Sequence, residues 1–406
     1  MIGNHHKSNS PAPTALHAAW VWCGPGRLLS DAWVTLAGGR VQAVGSRPPS
    51  GARRRELGRG LLLPGLVNAH THLELSFLAG LVPPRGDFVG WLEGLVALRP
   101  GHDHGSARQA ALDGARRLAG EGVALAGDVT NTGRAVPAWR QAGVSVVNFF
   151  EALGAAAAEP PAEELRWEEP GRCLAAAVAA HAPYSVPAGR LAALKDCSRR
   201  LPFCIHLAES RAEMEFFAGS GREGRRLEEF LRRRGVSKDA LELRAEHPLE
   251  HLAALGILAA GTLLVHGVQL DPAQGRRLAA AGVSLCLCPR SNLGLTGRVA
   301  PVLAFWREGV NLALGTDSLA STPSLSMWEE IITLRRLEPG LPDEALITLA
   351  TLGGARALGL GDHFGSISPG AVGRLCLVPL GRMSGERVLE AVVRGDWLGP
   401  ARAVTG

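Results

Sequence analysis

The chain has 406 residues, and its hydrophobic fraction of 46% and charged fraction of 20% are typical of a soluble globular enzyme. No apolar run is long enough to cross a bilayer, so no membrane partner is expected. The net charge of +5 does not indicate a nucleic-acid partner, because only three of the 43 basic residues are lysine and the arginine excess is typical of compositional bias.

The first residues, 1–13, are polar and lack the apolar core of a signal peptide. They predict a disordered tail on a cytoplasmic protein. The seven cysteines form no Cys-x-x-Cys pair, and several lie in apolar runs. Free buried thiols in a reducing compartment are therefore expected.

Strand patterns occur at both ends of the chain. Residues 32–45 alternate apolar and polar side chains around Gly38-Gly39, which predicts a hairpin. Residues 373–380 and 387–394 also have strand-like patterns. Both chain ends are therefore expected to be rich in β-structure.

Between these ends, short apolar runs alternate with segments long enough for crossover helices, such as 106–121, 222–234, 272–281 and 324–337. The runs predicted as strands are 65–70, 123–129, 144–151, 174–181, 203–207, 262–266, 283–288 and 311–315. Such units over roughly 300 residues predict a (β/α)₈ TIM barrel of the α/β class with a buried parallel sheet. A doubly wound sheet is the alternative, but no glycine-rich dinucleotide fingerprint follows any predicted strand.

Histidines and carboxylates follow the predicted strands, at the barrel face where active sites form. They are His70 and His72 after strand one, His181 after strand four, His206 and Glu209 after strand five, His266 after strand six and Asp317 after strand eight. A His-x-His sequence on an extended segment directs both rings to the same face. With His206 and Asp317, the rings of His70 and His72 give three nitrogen ligands and one oxygen ligand, a set suited to Zn²⁺ or Fe²⁺. His102-Asp103-His104 repeats the spacing in a predicted loop and is assigned no role.

The candidate metal ligands and catalytic residues lie in four short motifs. These are Pro64-Gly65-Leu66-Val67-Asn68-Ala69-His70-Thr71-His72, His206-Leu207-Ala208-Glu209, Val265-His266 and Gly315-Thr316-Asp317-Ser318. They resemble motifs of the amidohydrolase superfamily, in particular its cytosine-deaminase-like branch of nucleoside deaminases, over about residues 18–400. The resemblance implies a metal-dependent hydrolase barrel over residues 64–363 and a small β-sandwich domain formed by residues 14–63 and 364–406. It also implies a nucleoside-like small-molecule substrate and, because relatives are often dimers, a candidate homodimer.

The number of metal ions follows from strand four. Two-metal members of the superfamily carry a carboxylated lysine there, whereas this chain has His181, so one divalent ion is expected. Such an ion lowers the pKa of bound water toward ~7, and the hydroxide can attack an amidine-like carbon. Glu209 is predicted to protonate the ring nitrogen, His266 to hydrogen-bond the water and Asp317 to relay its proton. The alternatives are a carboxylate favoured by a helix dipole for Glu209, and a core histidine or second metal ligand for His266.

Substrate contacts are predicted from softer signals. His181, in His181-Ala182-Pro183-Tyr184-Ser185, resembles the histidine that contacts the purine in nucleoside deaminases. Glu74, Trp91 of Phe88-x-x-Trp91, and Arg290 after strand seven resemble the aminodeoxyfutalosine deaminases of menaquinone biosynthesis. Arg290 would receive the carboxylate of the benzoate in that substrate. Ser318 completes the predicted set.

Each of the softer predictions has a structural alternative. Arg290 would hold the loop after strand seven, Glu74 would be a buried structural acid, and Phe88 and Trp91 would pack on a helix face. These alternatives remain open from the sequence alone.

Together these residues predict a hydrolytic deaminase that replaces the 6-amino group of an adenine-like base with oxygen and releases ammonia. The expected substrate is 6-amino-6-deoxyfutalosine. The alternative substrates are S-adenosylhomocysteine, methylthioadenosine or adenosine, or another heterocycle such as guanine, cytosine or a triazine. A non-catalytic scaffold is a remote alternative, because every predicted ligand and Glu209 are present.

Overall fold

The computed structural model describes residues 12–99, 104–154, 161–168 and 171–406. The predicted disordered tail lies outside these ranges except for residues 12 and 13. The described chain begins with the strands β1 (Thr14–Gly24), β2 (Arg27–Ala37), β3 (Arg40–Gly45), β4 (Arg53–Glu56) and β5 (Gly60–Pro64). β2 and β3 form the predicted antiparallel hairpin, and Gly38 and Gly39 between them have φ of 56° and 69°.

The next strands form a second sheet, which is the barrel. They are β6 (Leu66–Thr71), β7 (Val123–Thr130), β8 (Ser145–Ala152), β9 (Glu164–Glu168), β10 (Arg172–Ala180), β11 (Phe203–Leu207), β12 (Thr262–His266), β13 (Ser284–Leu287) and β14 (Asn311–Leu314). All except β9 pair in parallel in the order β6, β7, β8, β10, β11, β12, β13, β14. β9 pairs antiparallel with β10. The predicted (β/α)₈ barrel is confirmed.

The barrel closes where its first and last strands meet. Thr71 forms a parallel bridge with Asp317, and the Asp317 amide donates a hydrogen bond to the His70 carbonyl (3.1 Å). Gly315 makes this approach possible, because a Cβ there would lie 2.6 Å from the same carbonyl oxygen. The seam therefore brings two predicted metal ligands, which are far apart in sequence, into contact through their backbones.

Alternate residues of each barrel strand face inward or toward the helices. The interior holds side chains of mixed size, including Ala69, Phe149, Ala177, Cys204 and Leu263. The outer faces pack on the helices through apolar side chains, including Val146, Ile205, Leu264 and Leu312. This burial on both faces explains why the strands appear in the sequence as continuous apolar runs.

The helices cover the barrel and support its rim. They are α1 (Phe88–Leu98), α2 (His104–Gly120), α3 (Val136–Ala142), α4 (Ala188–Cys197), α5 (Arg211–Phe217), α6 (Arg222–Arg232), α7 (Lys238–Leu241), α8 (Pro248–Ala254), α9 (Gly275–Ala281), α10 (Pro289–Thr296), α11 (Val302–Arg307), α12 (Met327–Leu337), α13 (Asp343–Thr348), α14 (Gly354–Ala357) and α15 (Gly385–Arg394). A 3₁₀ segment (Leu73–Leu78) follows β6 directly.

The C-terminal part returns to the first sheet. β15 (Leu375–Pro379) pairs with β5, and β16 (Arg402–Val404) pairs with β15, so both chain ends supply this sheet as predicted. The predicted strand at residues 387–394 is wrong, because that segment belongs to α15. Val388, Ala391 and Val392 are buried at helical spacing, and Gly395 ends the helix with φ of 83°. The valines there have strand-like propensity, but their periodicity is helical.

Two further findings concern the cysteines and the search for a membrane-spanning helix. All seven cysteines are free, and all except Cys197 are buried. Within the described residues, the structure contains no helix with the length and apolar character needed to span a membrane.

Candidate active site

Four side chains from three strand ends converge at the carboxyl-terminal face of the barrel. His70 and His72 leave β6, His206 lies in β11, and Asp317 follows β14. The structure thus brings together all of the predicted metal ligands. His70 is completely buried, and the side chains of Asp317 and His206 are less than a tenth exposed.

The distances among these side chains fit a cation. His70 Nε2 lies 3.3 Å from His206 Nε2 and 3.8 Å from Asp317 Oδ1, and His72 Nε2 lies 3.7 Å from the same oxygen. Tetrahedral ligands of Zn²⁺ lie about 2.0–2.1 Å from the ion and so about 3.4 Å from one another. The donor set and its spacing therefore fit a divalent ion of this type.

The histidines are held with their lone pairs available. Burial and the neighbouring imidazoles lower the pKa of His70 well below 6.5. Burial likewise lowers the pKa of His206, whose Nδ1 donates to the His181 carbonyl (2.6 Å). Because Nδ1 carries the proton, Nε2 of His206 is the nitrogen that can bind a metal.

Asp317 is fixed by two hydroxyls. Ser291 Oγ and Ser321 Oγ donate to its Oδ2 at 2.6 Å and 2.9 Å, which leaves Oδ1 toward the histidines. Burial would raise the pKa of Asp317, but His72, His266 and the Ser291 hydrogen bond outweigh it and lower the pKa. The carboxylate is therefore ionised and suited to bind a cation or accept a proton.

Glu209 and His266 form a second pair in the same pocket. His266 Nε2 lies 3.5 Å from Glu209 Oε1, and Asn292 Nδ2 donates to His266 Nδ1 (3.0 Å). Burial, then Asp317 and Glu213, raise the pKa of Glu209 well above 4.5, and burial lowers the pKa of His266 to about 3. These shifts favour a protonated carboxyl at Glu209 and a neutral imidazole at His266, an arrangement suited to proton transfer.

Backbone strain coincides with this chemistry. His266 has φ of 77° and Asp317 has φ of 56°, in the left-handed region that non-glycine residues rarely adopt. Such conformations cost free energy and persist where surrounding structure enforces them. Both predicted catalytic residues are held in place by their strand-end turns.

The pocket above these groups is a cavity of about 70 Å³. The predicted substrate-binding residues Trp91, His181 and Ser318 line it, as does Phe88. Trp91 is fixed by a hydrogen bond from its Nε1 to the Ala320 carbonyl (2.8 Å), and His181 Nδ1 lies 2.7 Å from Ser185 Oγ. These side chains are positioned to contact a ligand bound over the metal-ligand cluster.

Glu74 is engaged by the loop that follows β7. Its Oε2 accepts hydrogen bonds from Thr130 Oγ1 (2.6 Å) and Thr132 Oγ1 (2.8 Å), and its Oε1 accepts one from the Asn131 amide (3.0 Å). Arg99 Nη2 lies 3.5 Å from Oε1. These contacts agree with a structural acid that orders the rim.

The structure does not bring Arg290 to the pocket. Its guanidinium donates to the Ser324 carbonyl (3.1 Å) and pairs with Glu329 (2.6 Å), and its amide donates to Glu330 (3.0 Å). Arg290 is not among the described residues that line the active-site cavity. These contacts agree with the structural alternative, in which the arginine holds the loop after β13.

Glu151 lies in the pocket and was not predicted. It is at the end of β8, its side chain is 6% exposed, and its Oε2 accepts a hydrogen bond from Asn131 Nδ2 (2.9 Å). Its other oxygen, Oε1, is buried with no hydrogen-bond partner among the described residues. Burial would raise its pKa, but His181, His206 and His72 outweigh this and lower the pKa. A carboxylate at a strand end is the signal that would have found it.

Asp128 supports the site through a hydrogen bond to the backbone next to His72. It lies in β7, is completely buried, and accepts hydrogen bonds from the Leu73 amide and Trp139 Nε1, both at 2.8 Å. Burial raises the pKa of Asp128 to about 7. Because Leu73 directly follows His72, Asp128 fixes the backbone on which that metal-ligand candidate lies.

Comparison with known proteins agrees with this geometry. A sequence profile described as "Amidohydrolase family" matches residues 61–398. An aminodeoxyfutalosine deaminase of Deinococcus radiodurans is 32% identical over 364 residues, covering 84% of this chain and 84% of the relative. A 5-methylthioadenosine/S-adenosylhomocysteine deaminase of Nitratidesulfovibrio vulgaris (strain DP4) is 29% identical over 357 residues, covering 82% of this chain and 75% of the relative.

Two solved structures share the fold. Helicobacter pylori aminofutalosine deaminase in complex with methylthio-coformycin is 21% identical, with a TM-score of 0.76 over 94% of this chain and 96% of that one. An adenosine deaminase from Xanthomonas campestris with bound zinc is 24% identical, with a TM-score of 0.74 over 95% of this chain and 89% of that one. At these identities the likeness shows the barrel and its second sheet.

Proposed function

We propose that this chain, which belongs to the amidohydrolase family, removes the 6-amino group of an adenine nucleoside and releases ammonia. The proposal specifies the reaction of a hydrolase that acts on C–N bonds. One observation carries the proposal: the buried Glu209 carboxyl lies 3.5 Å from His266 in a pocket that His72, His206 and Asp317 also line. Hydrolytic deamination needs an activated water and a proton donor for the ring nitrogen. This pocket contains candidate groups both for activating the water and for donating the proton.

A divalent metal ion is the cofactor of the family. The clustered His70, His72 and His206, with Asp317 within 3.8 Å of the first two, would hold one here. Bound there, a Zn²⁺ or Fe²⁺ ion would supply Lewis acidity and lower the pKa of coordinated water to about 7. The neutral imidazoles and ionised carboxylate described above are the protonation states that such an ion requires.

Glu209 is the proposed proton donor. Burial, then Asp317 and Glu213, raise its pKa well above 4.5, which favours the protonated carboxyl that a proton donor requires. Attack at C6 of adenine makes that carbon tetrahedral and raises the basicity of the adjacent ring nitrogen, which then takes the Glu209 proton. After the transfer, Glu209 is a carboxylate that can accept a proton back for the leaving amine.

His266 and Asp317 complete the proton path. His266 is held by Asn292 with its Nε2–H toward the pocket, where it can donate a hydrogen bond to the attacking oxygen. Asp317, ionised and adjacent, can accept the proton of the attacking water. Ser291 and Ser321 stabilise this negative charge from the opposite side.

For the substrate we propose 6-amino-6-deoxyfutalosine, and hence a role in menaquinone biosynthesis. Support comes from the relative in Deinococcus radiodurans and from His72-Leu73-Glu74-Leu75-Ser76 after strand one. Glu151 adds a buried acceptor for a hydroxyl or amino group of the nucleoside, since its Oε1 has no partner among the described residues.

The second candidate is deamination of methylthioadenosine or S-adenosylhomocysteine. It is favoured by the relative in Nitratidesulfovibrio vulgaris, whose identity of 29% is close to that of the first relative. Both candidates require the same adenine chemistry and differ only in the group attached to the ribose.

A deamination assay with zinc-loaded protein tests the proposal. We expect the adenine-to-hypoxanthine absorbance change with aminodeoxyfutalosine at a kcat/KM above ~10⁴ M⁻¹s⁻¹. Methylthioadenosine, S-adenosylhomocysteine and adenosine are assayed in parallel at equal concentrations. Turnover of the latter three without the first would replace the proposed substrate by the second candidate. Absence of turnover with all four would refute adenine deamination.

A further inference from the structure

We propose that a basic cavity beside the active-site pocket binds an anionic group at the far end of the nucleoside substrate, an inference that rests on the proposed function. We call this cavity the basic annex; Arg99, Arg108, Arg134 and His104 line it. It has a volume of about 140 Å³ and opens at the barrel rim between α1, α2 and the loop after β7.

The basic annex adjoins the active-site pocket. Leu75 and Arg99 line both cavities, so they form the partition between them. Arg99 Nη2 donates to Asn131 Oδ1 (2.8 Å), and Asn131 lies on the pocket side of that partition. The two cavities are therefore neighbours, and in the proposal the part of the ligand beyond the ribose extends past Arg99 into the annex.

The charges of the basic annex are unbalanced. Three of its lining side chains are guanidinium groups, and Glu74 is the one carboxylate among its described lining residues. That carboxylate already accepts hydrogen bonds from Thr130, Asn131 and Thr132. The annex thus retains two positive charges in excess, which favours an anion.

Arg108 and Arg134 are the cations available to such an anion. Within the described ranges, neither forms a salt bridge with a carboxylate, and both residues are exposed at the cavity mouth. Arg134 Nη1 donates a hydrogen bond to His104 Nδ1 (3.0 Å). The two guanidiniums keep most of their donors free for a ligand.

A carboxylate fits this arrangement best. Guanidinium groups bind carboxylates through paired N–H donors in a planar fork, which a neutral thioether cannot match. Arg290, the arginine predicted for this role, is committed to Ser324 and Glu329. The proposal therefore places the anion site at the segments that follow β6 and β7 rather than in the loop after β13.

The test compares two nucleosides that share adenine and ribose. One is aminodeoxyfutalosine, which ends in a carboxylate, and the other is methylthioadenosine, which is neutral. In the double variant Arg108→Gln/Arg134→Gln we expect KM for the anionic nucleoside to rise about tenfold. The kcat values and the KM for the neutral nucleoside should change less than about twofold, because the catalytic groups are untouched. Arg116→Gln, an exposed arginine of α2 that lines neither cavity, is the matched control.

Ionic strength gives a second measurement on the wild type. Raising the salt concentration should increase KM for the anionic nucleoside and leave KM for the neutral one nearly constant, because exposed charges are screened. Wild-type turnover with equal effects of the double variant on both nucleosides would overturn the basic annex and leave the deaminase proposal intact. Failure of the wild type to deaminate either nucleoside would refute the proposed function and the annex with it.

Discussion

The floor of the active-site pocket and the basic annex at its rim differ in burial and in the kind of charged group they contain. The floor consists of buried groups, His70, His206 and Asp317, whose partners are fixed by strand ends and whose pKa values are shifted by burial. The annex consists of exposed arginines on a helix and a loop. Electrostatic interactions in the floor are strong because its groups are buried and fixed, which suits catalysis. Interactions of the exposed annex arginines are weaker and their side chains can adjust, which suits selection among substrates.

The largest effect is expected for Asp317→Asn, which removes a charge from the floor. It should weaken metal binding and remove the proton acceptor together, and kcat/KM should fall about 10⁴-fold or more. Metal content by mass spectrometry and kcat/KM are measured on the same preparation. Asp362→Asn, an exposed aspartate, serves as control. Retention of stoichiometric metal with more than about a tenth of wild-type activity would contradict the role of Asp317.

Glu209→Gln separates the two functions of the floor. The variant should keep its metal, since Glu209 is not one of the four proposed ligands, and kcat should fall about 10²–10⁴-fold because the amide cannot transfer the required proton. Metal content and kcat are again measured together, with the exposed Glu228→Gln as control. A near-native kcat would remove Glu209 from the mechanism.

Arg290→Gln tests whether that arginine belongs to the scaffold or to the substrate site. Loss of its contacts to Ser324, Glu329 and Glu330 should lower the free energy of unfolding by about 1–3 kcal/mol. The kcat/KM values for anionic and neutral nucleosides should change by the same factor. Denaturant titration and the two assays measure these quantities. A selective loss for the anionic nucleoside would return the carboxylate site to Arg290.

The last prediction concerns pH dependence rather than activity, at a buried acid that is not among the described residues lining the active-site cavity. Burial raises the pKa of Glu330 to about 8. A raised folded pKa means that its stabilising contribution is complete below about pH 4.5, the unfolded value, and is lost as the pH rises to 8. Glu330→Gln should therefore flatten the decline of unfolding free energy between these pH values by about 1 kcal/mol per pH unit. Identical slopes for wild type and variant, measured by denaturant titration, would show that Glu330 is ionised in the folded protein.

The same contrast decides what the sequence could predict. His70, His72, His206, His266 and Asp317 follow strands whose apolar runs are unmistakable, and parallel strands place their ends on one face. The barrel and the convergence of these side chains therefore followed from position alone. Their protonation states did not, because these depend on burial and on neighbours from other strands.

The rim could not be predicted in the same way. The directions of Arg290 and Glu74 are set by Ser324, Glu329 and the loop after β7, which lie far from them in sequence. Arg108 appears in the sequence as one of many surface arginines, and only the fold places it beside Arg134 and Arg99. Loop geometry, rather than residue type, separates a binding arginine from a structural one.

The seam between Thr71 and Asp317 also bears on the order in which the protein forms. Its two sides are separated by 246 positions in the chain, so this contact closes a very long loop and its entropy cost is paid late in folding. The candidate metal ligands come from both sides of the seam, and an ion that binds all of them can do so only after the barrel has closed. Such an ion would stabilise the closed barrel, and it would slow unfolding of the barrel more than it would speed folding.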